Sequence, residues 1–171
     1  MVEYSPCTVP GPTSRWYPSG RESISNDFRK LKEWCSKMYE NLRKNVMTSR
    51  ALSTLKPCDE DSLQQVRRFK PDVPQDYIEF LREIGAGEIG KGQYTLYSGL
   101  VEPREIYGEV PQEVAKIVLF GDDMQGFCAG FDTTNWKIVE IDPTNMRISP
   151  VADSFESFIR QRIKSGTDHG F

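Results

Sequence analysis

PQDYIEFLREIGAG, spanning Pro74–Gly87, is the most strongly patterned segment of the chain. Tyr77, Phe80, Leu81 and Ile84 fall at i, i+3, i+4 and i+7, one stripe on a 3.6-residue period, so the segment reads as an amphipathic helix. Pro74 suits a first helical turn, where a missing N–H costs nothing. Gly85 then stops the helix by supplying the left-handed backbone that residues with a Cβ avoid.

Downstream of this helix the apolar period changes from Gln93 onward towards two. Candidate strands are Tyr94–Val101, Lys116–Phe120, Phe127–Phe131, Trp136–Ile141 and Met146–Ser149. Gly121-Asp122-Asp123 reads as a turn into the third of these, which places Phe127, Ala129 and Phe131 on one face and Cys128 and Gly130 on the other. Asp132-Thr133-Thr134-Asn135 and Asp142-Pro143-Thr144-Asn145 are short polar turns. Such short links make the last three strands antiparallel neighbours, because a parallel crossover needs a dozen or more residues. Asp153 with Glu156 suggests a capping box for a closing helix whose apolar face is Phe155, Phe158, Ile159 and Ile163.

Upstream, a helix is expected from Asp59 to Phe69. Its acids stand near the start and its bases near the end, as the helix dipole prefers, with Leu63, Val66 and Phe69 towards the core. A longer basic helix is expected from Ser25 to about Met47, its stripe running through Phe28, Leu31, Trp34, Met38, Leu42 and Val46. Such a helix can lie on a membrane or bind a partner; packing its stripe on the domain is the favoured reading. Met1–Gly20, rich in proline and glycine, reads as irregular, with Trp16 and Tyr17 suited to docking on the domain or on a partner, the domain being the favoured reading. The expected organisation is an irregular segment 1–20, a helical extension 21–50, one domain 51–166 and a tail 167–171. The expected fold class is α+β: N-terminal helices, an antiparallel-rich β-sheet and a C-terminal helix.

Composition narrows the class. Of 171 residues, 37% are hydrophobic and 27% charged, as in a globular protein. No apolar run approaches the roughly 18 residues that span a bilayer. The N-terminus has neither a charged lead nor an apolar core, so no secretory signal is expected and the cytoplasm is the expected compartment. Cys7, Cys35, Cys58 and Cys128 show no Cys-x-x-Cys spacing, which favours free thiols and core packing over disulfides. Residues 1–70 carry 13 Lys and Arg against 8 Asp and Glu, a net +5; residues 71–171 carry 9 against 17, a net −8. That asymmetry can steer a charged partner, or be an ordinary solvated surface.

Most catalytic constellations lack their parts. His169 is the only histidine, close to the last residue, so a Ser-His-Asp or Cys-His site is disfavoured, and zinc has no ligand pairs of usual spacing. Gly85-Ala86-Gly87-Glu88-Ile89-Gly90 lacks dinucleotide-loop spacing and follows a helix rather than a strand. Asp122 and Asp123 are the best carboxylate pair for a cation, yet the other positions of a calcium loop are missing and a turn is favoured. Clustered acids leave a hydrolase as a third option. Nucleic-acid binding has little support, since the acidic second half repels phosphate. No catalytic, metal or cofactor residues are assigned.

The ordered set of Pro74-x-x-Tyr77-x-x-Phe80-Leu81, Tyr97-Ser98-Gly99-Leu100, Gly121-Asp122-Asp123, Gly130-Phe131-Asp132 and Ser154-Phe155 resembles the SUKH superfamily, over roughly Leu55 to Ile163. That superfamily contains bacterial immunity proteins against polymorphic and contact-dependent toxins, and fungal cell-wall regulators. The resemblance implies a non-catalytic immunity protein that binds and neutralises a cognate toxin by occlusion. The alternative is a regulatory or scaffold module. Many such toxins are nucleases with basic grooves, so an acidic face is expected to make the contact. Glu102, Glu105, Glu109, Glu113, Asp122, Asp123 and Asp132 are the expected contact residues, the first three most of all because they lie on a connecting segment.

Overall fold

The computed structural model describes residues 39, 40, 42, 44, 54–90 and 92–168. Helices α1 (Glu60–Phe69) and α2 (Gln75–Glu83) come first, then strands β1 (Gly87–Ile89) and β2 (Tyr94–Val101). A short helix α3 (Pro103–Tyr107) and a 3₁₀ turn (Val114–Lys116) lead into β3 (Ile117–Asp122). Strands β4 (Cys128–Asp132), β5 (Ile138–Ile141) and β6 (Ile148–Ala152) follow, and α4 (Phe155–Asp168) closes the fold. The six strands stand side by side in chain order, every pair antiparallel. The architecture is α+β, with helices before the sheet and one after it.

The pleat sorts the sheet into two cores. Val118, Phe120, Ala129, Phe131 and Ile138 face the three longer helices, while Ile117, Leu119, Cys128, Val139 and Ile141 face the opposite way. Both faces of β3 are therefore dry, and its sequence reads as an unbroken apolar run. On the helical side, Tyr77, Phe120, Phe131, Phe155 and Phe158 form an aromatic nucleus. Phe120 and Phe131 have centroids 4.9 Å apart, and Tyr77 meets Phe155 edge-on at 5.0 Å.

The expected stripe of α2 is fully buried, Tyr77, Phe80, Leu81 and Ile84 all lying in the first core. Gly85 has φ +103°, and a Cβ there would lie 1.8 Å from the Lys56 carbonyl oxygen. Lys56 bridges Ala86 at this point, so the glycine admits a crossing chain as well as ending a helix. In α1, Asp59 caps the Ser62 N–H at 2.8 Å. Leu63 and Val66 are buried, but Phe69 is 40% exposed, because it borders an open groove beside Ser98, Gly99 and Leu100 of β2.

Three further expectations need correction. Gly121 and Asp122 belong to β3, since Asp122 pairs with both Thr95 and Cys128; the reversal is Asp123–Phe127, closed by the Asp123 N–H on the Phe127 carbonyl at 3.1 Å. Phe127 accordingly lies in the turn. The closing helix is capped by Ser154, whose Oγ accepts the Ser157 N–H at 3.3 Å. Asp153 instead pairs with Lys137 at 2.7 Å, and Glu156 with Arg160 at 2.9 Å.

The expected helix over Ser25–Met47 falls mostly outside the described residues, as do Met1–Gly20 and Cys7 and Cys35. Tyr39, Glu40, Leu42 and Lys44 are helical, and Tyr39 and Leu42 are buried in the first core. The Tyr39 hydroxyl donates to the Asp76 carbonyl at 3.1 Å, and its ring meets Phe80 at 5.3 Å. At these positions the helix packs on the domain.

Candidate functional site

Four of the expected acids, Glu102, Glu105, Glu109 and Glu113, lie on the segment that covers the second face of the sheet. That face is roofed by α3, the 3₁₀ turn and the loop between them. Glu102 and Glu105 hold the start of α3 together: the Glu102 N–H donates to Glu105 Oε1 at 3.1 Å, and the Glu102 side chain accepts the Glu105 N–H. This reciprocal capping box, with Pro103 in the first turn, explains a helix of only five residues in a segment expected to be a plain connection.

Under the roof lies a small polar cluster. The Tyr97 hydroxyl donates to Asp122 Oδ2 at 2.6 Å, and the Tyr107 hydroxyl donates to the Gly126 carbonyl at 2.9 Å, which ties α3 to the β3–β4 turn. Cys128 is buried in the second core, against which Tyr97 and Tyr107 pack. Burial pushes that thiol above its ordinary range, and the two tyrosine contacts only partly offset it. Burial likewise raises Tyr97, with the bond to Asp122 adding to the shift. Cys128 is thus held as a protonated core thiol, the opposite of an activated nucleophile. Cys58 is also a free thiol, raised by burial and by Asp59.

The fold divides the expected residues rather than gathering them. Asp122 Oδ1 accepts the Met124 N–H at 2.7 Å, and Asp123 Oδ1 accepts the N–H groups of Gln125 and Phe127 at 2.9 and 3.0 Å. Both aspartates are turn formers at one end of β3. Asp132 lies opposite Ile117, at the other end, where its carboxylate takes the Thr134 N–H and hydroxyl at 2.9 and 2.7 Å. Glu109 and Glu113 are different: both are exposed, and neither side chain makes a hydrogen bond or ion pair among the described residues. Close by in sequence, Ile106 on α3 is 43% exposed.

Ile106, Tyr107 and the bond from Tyr97 to Asp122 escaped the sequence reading. Pro103 followed by an acid two residues on, Glu105, is the signal from which α3, and so the position of Ile106, could have been read. Among the described residues no three His, Cys, Asp or Glu side chains converge as metal ligands would, and no helix is long and apolar enough to cross a membrane.

The chain is thus an α+β domain built on a helix-flanked antiparallel meander whose second face is roofed by α3 and the 3₁₀ turn. The sequence model of the SMI1 / KNR4 family (SUKH-1) matches residues 57–161, more than half of the chain, and the chain belongs to that family. Membership supports an immunity or regulatory role, exercised through partner proteins, at the level of the family. No curated protein matches the chain.

Proposed function

We propose that this protein is an immunity protein, which binds a cognate toxin and neutralises it by occlusion without catalysing any reaction. The proposed working unit is residues 51–166, with 21–50 as a helical extension. The observation that carries the reading is the exposed Ile106, followed in sequence by Glu109 and Glu113, acids whose side chains make no hydrogen bond or ion pair among the described residues. An apolar anchor supplies residence time once water is excluded around it, and the acids accelerate approach to a basic partner. Glu102, Glu105, Asp122, Asp123 and Asp132 contribute charge to the same half of the chain, but their carboxylates are engaged in capping and turns. A basic nuclease domain is the partner chemistry that this acidity fits best, and the compartment of action proposed is the cytoplasm.

Affinity purification from the native cell tests the reading. A single partner should co-elute, and the purified protein should suppress that partner's toxicity in stoichiometric proportion. Tight binding that leaves the partner's activity intact would instead support the family's other role, a regulatory or scaffold module. In that case removal of residues 1–50 should abolish the interaction, whereas the immunity reading expects residues 51–166 to suffice.

A further inference from the structure

The sheet is open and so has two edges, each of which would offer main-chain donors and acceptors to a further strand if left bare. At β1 the edge is covered by the chain that precedes α1. Lys56 and Ala86 exchange both main-chain hydrogen bonds, at 2.9 and 3.0 Å, and the Thr54 hydroxyl donates to the Glu88 carbonyl. The other edge is β6. Among the described residues its only strand neighbour is β5, and no main-chain bond outside that pairing reaches Ile148–Ala152. The strand reads Ile-Ser-Pro-Val-Ala, with no charge and with β-branched Ile148 and Val151. Short uncharged strands of this kind join edge to edge unless something interrupts them. Here the interruption is Pro150, exposed and opposite Val139. In an antiparallel ladder a residue points its N–H and C=O to the same side. Proline stands in such a ladder only where its nitrogen faces away from the paired strand, so the Pro150 nitrogen lies on the outer side of β6. Next to it, Val151 has no counterpart on β5, because the register slips between Ile138 and Val139. A bulge at that point bends the outer edge away from the line an incoming strand would follow.

We propose that Pro150 is the residue that keeps two copies of this chain from joining through β6. It removes the donor at the middle of the outer edge, and the ring carbon on its nitrogen stands where a partner's carbonyl would have to come. The contact it prevents is the self-complementary one, in which the two β6 strands meet about a two-fold axis. Antiparallel pairing centred on position 150 would need a bond from that residue in each copy, so one proline per chain removes both central bonds at once. The two edges are thus closed by different means, β1 by a covering segment and β6 by a missing donor. The guard does not depend on the immunity reading.

The test uses Pro150→Ala and Pro150→Thr in the full chain. Both restore the donor, and the second adds a β-branched side chain suited to a strand. Sedimentation velocity over a dilution series should show each variant associating several-fold more strongly than the wild type, Pro150→Thr the more so. Hydrogen exchange then locates the contact. In the dilute monomer the amide gained at position 150 should exchange freely, as an outward N–H must; in the associated state it should be protected together with its neighbours in β6. Variants as monomeric as the wild type would overturn the proposal, as would association that protects another surface. An amide at position 150 already protected in the monomer would do so too, because the nitrogen would then face β5 or be covered by the chain's own residues. Loss of the fold in both variants would also overturn it, since Pro150 would then hold β6 in place rather than screen its edge.

Discussion

Asp76, on the first turn of α2, accepts the backbone N–H of Glu156 at 3.2 Å across 80 residues of sequence. One carboxylate thereby fixes the entry of the closing helix, while its other oxygen takes the Tyr77 N–H at 2.9 Å. The same residue's carbonyl accepts Tyr39, so three helical segments meet on it.

Replacing Asp76 by alanine should cost about 1–2 kcal/mol, the range of a lost N-terminal cap, read as a lower denaturant midpoint with unchanged slope. The pH dependence has a definite sign. Burial is the leading influence on this carboxyl and raises it above 3.8, against the opposing pull of the Glu156 and Tyr77 N–H groups. The native state then holds the proton more tightly than the unfolded chain. This contribution to stability is complete below the unfolded value and is lost as pH rises through the folded one. Asp76→Asn should remove that decline from the curve of stability against pH, and a wild-type curve that rises across the same window would contradict the assignment.

Gly130 on β4 lies opposite Leu119 on β3. A Cβ there would come within 2.5 Å of the Val118 carbonyl oxygen, so Gly130→Ala should destabilise by about 1–3 kcal/mol through overpacking. Gly99→Ala, with its nearest neighbour at 3.8 Å, is the control and should pack without strain. Thermal melts of the two variants check the contrast.

Two hairpin turns share one hydrogen-bonding code. Asp132 binds Thr134 and Asn135, and Asp142 binds Thr144 and Asn145, with matching partners at every atom. Trp136 and Met146 occupy the same left-handed position, at φ 60° and 58°. The turns sit at opposite ends of β5, about 13 Å apart by strand rise. Asp132→Ala and Asp142→Ala should each lower the melting temperature, and their effects should add in the double variant.

Glu109→Lys with Glu113→Lys should slow association with a basic partner about tenfold at low salt while leaving stability within about 0.5 kcal/mol of wild type. Glu102→Lys with Glu105→Lys should instead loosen α3, because those acids cap it. Stopped-flow association beside a denaturation curve separates the two pairs; equal effects of both on stability would refute the division.

Where a residue's fate depends on local rules, the sequence was a sufficient guide. The buried faces of α2 and α4 follow from period alone, and the antiparallel order of β4, β5 and β6 follows from links too short for a crossover. What stayed hidden was long-range. Phe69 belongs to the stripe of α1, but whether sheet lies beneath it depends on β1, a strand of three residues that leaves no periodic trace. The Glu102 and Glu105 carboxylates read as free surface charge until the capping box is seen. Asp153 looked like the cap of α4 because nothing in sequence announces that Lys137 waits beside it.

The meander lets each strand find its predecessor as it is made, yet Phe155 and Phe158 reach the aromatic nucleus only from α4. Ribosomal synthesis must therefore pass Ile163 before the hydrophobic interior can be sealed. Until then Phe120 and Phe131, held by the strands alone, lack the cover that α4 brings.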